Sequence, residues 1–205
     1  MIRLSMKRYD RAYFDKWYRN PRHAITTRSY LERKVHLALA TAEFFLGREV
    51  TTVLDVGCGE GAWFVPLRAM RPELRYTGID SSEYAVKKFG ESRNIRPGSF
   101  GQLQEQRFDT TFDLVVCSDV LHYVKTPELV RGVSGLKEIL EGVAFLEVFT
   151  SKDELVGDLD GYIARAPGWY RKEFAKAGLV PCGPHSYLGP RLSSSACAME
   201  TFEAR

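Results

Sequence analysis

The chain has 205 residues, of which 44% are hydrophobic and 27% are charged. This length and apolar fraction fit one globular domain and exclude a disordered chain or a fibrous repeat. The formal net charge is only +3, but residues 1–36 contain ten Lys and Arg residues against three acids, which leaves a net charge of −4 for residues 37–205. The basic arm also contains six aromatic residues. Basic residues interleaved with aromatic residues are typical of nucleic-acid-binding surfaces, so the arm makes RNA a candidate partner.

The cysteine pattern and the hydropathy of the chain predict a cytoplasmic protein without a metal site. No two cysteines form a C-x-x-C pair, and no His stands at a zinc-like spacing. No apolar segment of a signal peptide follows Met1, and the longest apolar helical stretch, 35–46, is interrupted by Glu43, which predicts no membrane span. The reduced thiols expected are Cys58, Cys117, Cys182 and Cys197.

Two helices are predicted ahead of the sheet, and they form a helical cap over residues 1–47. In the second helix, Ser29 and Glu32 have the spacing of a capping box, and Gly47 ends an apolar face. The first helix spans residues 9–19. A helical wheel gathers its aromatic side chains on one half, namely Tyr9, Tyr13, Phe14, Trp17 and Tyr18.

Asp10 lies in the middle of this aromatic arc, which allows two interpretations. Either the helix packs on the core and Asp10 stabilises its positive N-terminus, or the aromatic helix is a lid over a bound ligand and Asp10 faces the pocket. We expect the lid.

From residue 51 onward, short β-branched apolar runs alternate with amphipathic stretches, which predicts a doubly wound α/β sheet. Residues 48–205 form this seven-stranded sheet core, and the cap and core together form one domain, 1–205. Two final strands without a helix between them predict a mostly parallel sheet with one antiparallel strand. The predicted strands are 51–56, 75–80, 94–98, 112–117, 142–149, 178–187 and 196–202, and the predicted helices are 61–70, 83–92, 127–141, 153–164 and 169–177.

The first predicted strand runs into glycines at alternate positions, Gly57, Gly59 and Gly61. Such glycines let the backbone turn tightly and let a ligand approach the peptide groups. Asp80, at the end of the next strand, has the spacing of a dinucleotide fingerprint, so spacing alone leaves nicotinamide cofactors open. Charge favours another ligand. Asp55 would repel a pyrophosphate at the loop, whereas it would attract the ammonium and sulfonium groups of S-adenosylmethionine.

These residues resemble the class I S-adenosylmethionine-dependent methyltransferases, whose first motif is an acid followed by G-x-G-x-G. The resemblance covers residues 50–179 and implies a Rossmann-like fold and methyl transfer from S-adenosylmethionine. It implies that Asp80 binds the ribose hydroxyls, that Ser99 and Phe100 lie beside the adenine, and that the fourth strand ends near the methionine part. The expected cofactor contacts are Asp55, Gly57, Cys58, Gly59, Gly61, Asp80, Ser81, Ser99, Phe100, Ser118 and Asp119, with Tyr9 and Tyr13 from the aromatic helix.

Methyl transfer requires alignment of the acceptor and, for a hydroxyl, removal of a proton. His122 follows the fourth strand, and its ordinary pKa near neutrality makes it the candidate general base. A buried structural His is the alternative, and alignment with exclusion of water can suffice without any base. The residues expected around the acceptor are Asp10, Trp17, Trp63, Tyr123, Glu147, Trp169, Tyr170 and His185.

The sequence after the fourth strand favours a small-molecule acceptor. Enzymes that methylate the exocyclic amino groups of bases usually have Asp/Asn/Ser-Pro-Pro-aromatic there, whereas this chain has Cys-Ser-Asp-Val at 117–120. An RNA or protein methyltransferase that uses the basic arm is one alternative, and a non-catalytic module that senses S-adenosylmethionine is another. The oligomeric state stays open.

Overall fold

The computed structural model describes residues 7–20 and 27–202. Its seven strands are β1 (Thr52–Val56), β2 (Arg75–Asp80), β3 (Ile95–Pro97), β4 (Phe112–Ser118), β5 (Leu140–Glu147), β6 (Val180–Gly183) and β7 (Ser186–Leu188). They form one sheet in the order β3-β2-β1-β4-β5-β7-β6. Strand β7 runs antiparallel to both of its neighbours, and the other pairs are parallel. The predicted fold class, a doubly wound and mostly parallel sheet with one antiparallel strand, is confirmed.

Apolar side chains are buried on both faces of the sheet, which explains why the central strands are continuous apolar runs. On β1, Leu54 and Val56 pack into the core on one face, whereas Val53 packs into the core on the other. The helices that surround the sheet are α2 (Arg28–Leu46), α3 (Phe64–Met70), α4 (Glu83–Arg93), α5 (Thr126–Ile139), α6 (Pro167–Lys176) and α7 (Pro190–Ser193). Leu129 of α5 belongs to the first core and Val35 of α2 to the second, so the two layers of helices lie on opposite faces.

The register of the parallel strands brings their carboxyl ends to one edge of the sheet. Asp55 of β1 pairs with Gly78 of β2 and with Val116 of β4. Ser118 at the end of β4 pairs with Glu147 at the end of β5. Ligands of open α/β sheets bind outside this edge, so polar residues there are candidates for the site.

The helical part before the sheet differs in detail from the prediction. Helix α2 ends at Gly47 in the left-handed conformation, as predicted, but its N-cap lies two residues before the Ser29 of the proposed capping box. Thr27 is the N-cap and accepts a hydrogen bond from the backbone N–H of Tyr30. Within residues 7–20 and 27–202, no helix is long and apolar enough to cross a membrane.

The aromatic helix predicted at 9–19 is shorter and has two parts. Helix α1 (Arg11–Phe14) is followed by one π-helical turn (Asp15–Arg19). The side chain of Asp10 accepts a hydrogen bond from the backbone N–H of Tyr13 and caps α1. The prediction that Asp10 faces the pocket is therefore wrong, because its carboxylate satisfies the helix N-terminus instead.

The other corrections follow β5. The predicted helix 153–164 is irregular, because Gly157 and Gly161 adopt positive φ angles of 127° and 79°. The predicted strand 178–187 is the hairpin β6–β7, and His185 stands at its turn with φ 55°. The predicted strand 196–202 forms turns instead, and its large apolar residues Met199 and Phe202 are 94% and 60% exposed.

Candidate functional site

The glycine loop follows β1 and has the backbone geometry that requires glycine. Gly57, Gly59 and Gly61 have φ angles of 71°, 54° and 76°. A Cβ atom on Gly57 would lie 2.7 Å from a methyl group of Val120. The loop is therefore a close-packed strand-to-helix turn whose conformation requires glycine at these positions.

A cavity of about 380 Å³ opens beside this loop. It lies between the ends of β1, β4 and β5, helix α2, the residues 7–20, which we call the N-terminal segment, and the loop 155–158. Its size is within the range of small-ligand pockets. The predicted site residues that line it are Asp55, Gly57, Cys58, Gly59, Trp63, Ser118, Asp119, Tyr123 and Glu147.

Two buried carboxylates flank the glycine loop. Asp55 is 2% exposed and accepts a hydrogen bond of 2.7 Å from the Tyr76 hydroxyl, and its burial raises its pKa to about 7. Asp80 is 8% exposed and accepts hydrogen bonds of 2.7 Å from the backbone N–H groups of Gly59 and Ser82. Burial raises the pKa of Asp80, and these backbone hydrogen bonds oppose that rise. A cation bound at this loop would stabilise both ionised forms.

Asp80, Ser81, Ser99 and Phe100, the residues expected beside ribose and adenine, do not line the cavity. The N-terminal segment lies over this end of the sheet. The backbone carbonyl of Tyr9 accepts a hydrogen bond from the Ser82 hydroxyl at the end of β2. The ring of Phe14 is buried, and its edge would lie 3.0 Å from a Cβ atom on Gly59. The ring centroids of Phe14 and Tyr84 are 5.8 Å apart.

Lys7 and Arg19 hold the N-terminal segment at both ends. The Nζ atom of Lys7 lies 2.5 Å from the Asp158 carboxylate and donates a hydrogen bond of 2.7 Å to the Asp160 carbonyl. Arg19 forms an ion pair with Glu60 of the glycine loop. Three rings surround the Lys7 ammonium, with their centroids between 4.3 and 5.5 Å from Nζ, and they belong to Tyr9, Tyr13 and Tyr123.

A charged cluster lies where β4 and β5 end. Glu147 accepts a hydrogen bond from the Ser118 hydroxyl and pairs with the Lys34 ammonium at 2.6 Å. Asp119 beside it has a positive φ of 64°. Burial and the neighbouring Glu147 raise the pKa of Asp119 to about 7, against the opposing effect of Lys34 and Lys7.

His122 lies behind the cavity wall and does not line it. Its side chain is fully buried, and burial lowers its pKa to about 4. The Nδ1 atom accepts a hydrogen bond of 3.4 Å from the backbone N–H of Phe149. The Nε2 atom lies 3.4 Å from an oxygen of Asp119, so the neutral ring carries its proton on the side of that carboxylate. This arrangement gives His122 no direct access to an acceptor in the cavity.

Four other residues that the sequence predicted to contact the acceptor also lie outside the cavity wall. Tyr170 is buried and hydrogen-bonds to Arg165, and Trp169 packs against the same guanidinium. His185 is exposed at the hairpin turn. Trp17 is half-buried on the N-terminal segment. Tyr9 and Tyr13 likewise surround Lys7 without lining the cavity.

Sequence reasoning missed the basic and aromatic residues of the cavity wall that come from outside the motifs. Lys34 is the clearest case. The sequence predicts that a lysine on an amphipathic helix is exposed to solvent, but in the structure its ammonium donates a hydrogen bond to Glu147. Tyr18 was visible in the aromatic arc, but it was not assigned to the site. The other missed residues are Phe14, Arg19, Thr27, Arg28, Tyr30, Leu31, Glu60, Ala62, Arg93, Phe149, Leu155, Val156 and Asp158.

Comparison with known proteins identifies the domain. Residues 54–141 match the family model described as a methyltransferase domain, and this segment contains the glycine loop, Asp80 and Asp119. Over this segment the chain matches a methyltransferase domain. The resemblance predicted from the glycine loop is therefore confirmed. A search of curated protein sequences found no match.

Solved structures share the fold of this methyltransferase domain. DesVI of Streptomyces venezuelae has a TM-score of 0.58 at 17% identity, over 79% of this chain and 90% of that chain. The amino pentose methyltransferase CalS10 from Micromonospora echinaspora, solved with S-adenosylmethionine, has a TM-score of 0.59 at 17% identity, over 77% and 90% of the two chains. The O-methyltransferase NcsB1 from neocarzinostatin biosynthesis, in complex with S-adenosylhomocysteine and 1,4-dihydroxy-2-naphthoic acid, has a TM-score of 0.51 at 20% identity, over 83% and 58%.

Proposed function

We propose that this chain transfers a methyl group from S-adenosylmethionine to a small-molecule acceptor bound in the cavity. The observation that carries the proposal is a glycine loop flanked by the buried carboxylates of Asp55 and Asp80, inside a methyltransferase domain. S-adenosylmethionine supplies a methyl group on a positively charged sulfur. An acidic, partly desolvated site favours such a cation, whereas it would oppose the pyrophosphate of a dinucleotide.

The donor set of this chain fits the cofactor. We assign the methionine part to the glycine loop, including Cys58 and Gly61, and to the ends of β1 and β4. We assign the ribose to Asp80 and Ser81, and the adenine to the segment that contains Ser99 and Phe100. The N-terminal segment contacts the chain just after β2, where the Ser82 hydroxyl donates a hydrogen bond to the Tyr9 carbonyl. We therefore propose that the N-terminal segment, the aromatic part of the helical cap 1–47, acts as a lid on the cofactor, with its aromatic rings closing over it.

The dimensions and charges of the cavity support a small acceptor. Its volume of about 380 Å³ holds a small molecule but not a folded RNA or protein segment. NcsB1 and CalS10, which share the fold, are named for small-molecule chemistry. The basic arm offers little for a polyanion, since its cations at the cavity have acidic partners, as the pairs Lys7–Asp158, Arg19–Glu60, Arg28–Glu32 and Lys34–Glu147 show.

The four cysteines support our proposal of a cytoplasmic location. All four are free thiols in the structure, at Cys58, Cys117, Cys182 and Cys197. An oxidising compartment would favour their pairing or modification.

Isothermal titration calorimetry with S-adenosylmethionine tests the cofactor assignment. We expect saturable binding by the wild-type chain and at least a tenfold higher Kd for Asp55→Ala and Asp80→Ala. Glu73→Ala is the matched control, because Glu73 is an exposed acid outside the site, and its Kd should stay unchanged. Absence of binding by the wild-type chain, or unchanged affinity in both site variants, would contradict the assignment. Binding without turnover on any acceptor would indicate a sensing module.

A further inference from the structure

We infer that Asp119, rather than His122, takes the proton that the methyl acceptor releases, and that His122 positions the Asp119 carboxylate. The acceptor is then one that releases a proton, and an alcohol, a phenol or an amine fits best because its O–H or N–H can donate a hydrogen bond to the carboxylate, whereas a thioether releases no proton. This inference rests on the proposed function and deepens it by assigning the acceptor class.

Among the acids of the cavity wall, Asp119 lacks a close protein partner in the described part of the chain and can therefore bind a ligand. Within residues 7–20 and 27–202, its carboxylate accepts no hydrogen bond, and the Nε2 atom of His122, which has no hydrogen-bond partner either, lies 3.4 Å from it. The four other acids of the wall already have close partners, namely Asp55 with Tyr76, Glu60 with Arg19, Glu147 with Lys34 and Asp158 with Lys7. A carboxylate in a partly desolvated wall without a donor is costly, and an acceptor N–H or O–H would satisfy it.

The second argument is the backbone at Asp119. Its φ of 64° lies in the left-handed region, which costs a non-glycine residue free energy and is common at functional sites. The conformation is fixed on both sides, because the Asp119 N–H donates a hydrogen bond of 3.1 Å to the Glu147 carbonyl and Val120 is packed against Gly57. The turn thus holds the carboxylate at the carboxyl end of β4, beside the glycine loop.

The third argument is the state of His122. The Phe149 N–H occupies its Nδ1 atom, so the proton of the neutral ring is on Nε2 and faces Asp119. A ring that is fully buried and already carries its proton on that side cannot take a second proton from the cavity. It can orient the carboxylate, as the third group of a catalytic constellation does. His122 is therefore a positioning residue.

Charged and titratable groups from every neighbouring element face Asp119. Glu147 of β5 opposes its ionisation, and Lys34 of α2 and Lys7 of the N-terminal segment favour it. The Asp119 charge in turn raises the pKa of Tyr18 in the N-terminal segment and of Tyr123 beside His122. Because burial and Glu147 outweigh the two lysines and raise the pKa of Asp119 to about 7, Asp119 can change its protonation state near neutral pH.

The step balances with these groups. A lone pair of the acceptor O or N forms the new bond to the methyl carbon, and the electron pair of the broken carbon–sulfur bond stays on sulfur. The proton leaves the acceptor O or N for a carboxylate oxygen of Asp119. Asp119 then returns it to solvent through the cavity mouth.

The first test needs no acceptor and uses S-adenosylhomocysteine as the probe. Carbon-13 NMR of aspartate carboxyls should show Asp119 titrating near neutral pH, and nitrogen-15 NMR should show the Nε2–H form of His122 throughout that range. Asp119→Asn should remove that carboxyl signal and thereby confirm its assignment. An Asp119 signal that titrates near pH 4, or a His122 ring that carries its proton on Nδ1 instead of Nε2, would overturn the inference.

The second test follows methyl transfer from labelled S-adenosylmethionine to a pooled small-molecule extract. Asp119→Asn should lower the rate at least 100-fold, the usual effect of a lost general base. His122→Ala should lower it about tenfold and shift the pH profile, and His122→Gln, which keeps a donor toward Asp119, should recover most of that loss. If Asp119→Asn turned over at the wild-type rate with an unchanged pH profile, the inference would be overturned and the proposed function would stand. No transfer by the wild-type chain would contradict the proposed function, and the role of Asp119 would fall with it.

Discussion

The Lys7 ammonium lies 2.5 Å from the Asp158 carboxylate and joins the N-terminal segment to the loop after β5. Both side chains are mostly buried, with 15% and 10% of their surfaces exposed. The same ammonium contacts the Tyr123 ring, 4.3 Å from its centroid. This contact and the Arg19–Glu60 ion pair hold the two ends of the N-terminal segment, so we expect them to control how readily the segment opens.

Breaking this contact should speed cofactor exchange. Lys7→Met should raise both the association and the dissociation rate of S-adenosylhomocysteine about tenfold, which corresponds to roughly 1.4 kcal/mol of lost contacts in the closed state. Stopped-flow fluorescence of the native tryptophans measures both rates. Arg11→Met is the matched control, because Arg11 forms an exposed ion pair with Asp15 within the same segment. Unchanged rates in Lys7→Met, or equal changes in the control, would show that this pair does not hold the lid.

The glycine loop should be intolerant of a single methyl group. Gly57→Ala combines a positive φ of 71° with a Cβ atom only 2.7 Å from Val120, so we expect a loss of about 2–4 kcal/mol in stability and at least a tenfold loss in S-adenosylmethionine affinity. Thermal denaturation and calorimetry measure these effects. Gly47→Ala is the control, because Gly47 has a similar φ of 65° but nothing within 4 Å of the added atom. If both variants lose the same stability, the contact with Val120 is not responsible.

Cofactor affinity should rise with pH through neutrality. Burial raises the pKa of Asp55 to about 7, so the folded chain binds a proton there that the unfolded chain has already lost above pH 4. The contribution of Asp55 to stability is therefore present below that pH and is lost as the pH rises to about 7. Above it, the ionised carboxylate attracts a cation.

Calorimetry with S-adenosylmethionine between pH 5.5 and 8 checks this prediction. The Kd should fall as the pH rises, and Asp55→Asn should flatten most of that dependence. The same variant should also remove part of the decline in apo stability between pH 4 and pH 7. An affinity that is independent of pH in the wild-type chain would contradict the role of Asp55, and a dependence unchanged in Asp55→Asn would assign it to another group.

The basic arm should not bind polyanions tightly. Lys7, Arg19 and Lys34 each have a carboxylate partner, so counterion release from RNA would have to compete with those pairs. Titration of fluorescent poly(U) at 50 and 200 mM salt should show weak binding. Tight binding at low salt that falls steeply at high salt would favour an RNA substrate and contradict a small-molecule acceptor.

The central strands and the glycine loop were predictable because each follows from local chemistry. Strand β2 was predicted at its observed limits, Arg75–Asp80, since buried parallel strands are apolar runs bounded by polar residues. Gly57 and Asp55 indicated a ligand because their spacing alone fixes them at the end of one strand.

The acceptor side of the site could not be predicted in the same way. Lys34 and Glu147 are 113 positions apart, and only the packing of α2 on β5 brings them together. The residue type of His122 predicted a general base, but its full burial and its hydrogen bond from the Phe149 N–H prevent it from reaching an acceptor. The helical wheel indicated an aromatic face on the N-terminal segment, but its individual partners, such as Ser82 for the Tyr9 carbonyl, depend on the fold.

The most direct test of methyl transfer uses S-adenosylmethionine with a deuterated methyl group, incubated with the wild-type chain and, in parallel, small-molecule extract, total RNA and total protein. Mass spectrometry then locates the label. We expect deuterated methyl groups on an oxygen or nitrogen of a compound in the small-molecule fraction. The Asp80→Ala variant should incorporate much less of this label. Label confined to RNA or protein, or no label in any fraction despite cofactor binding, would contradict the proposed function.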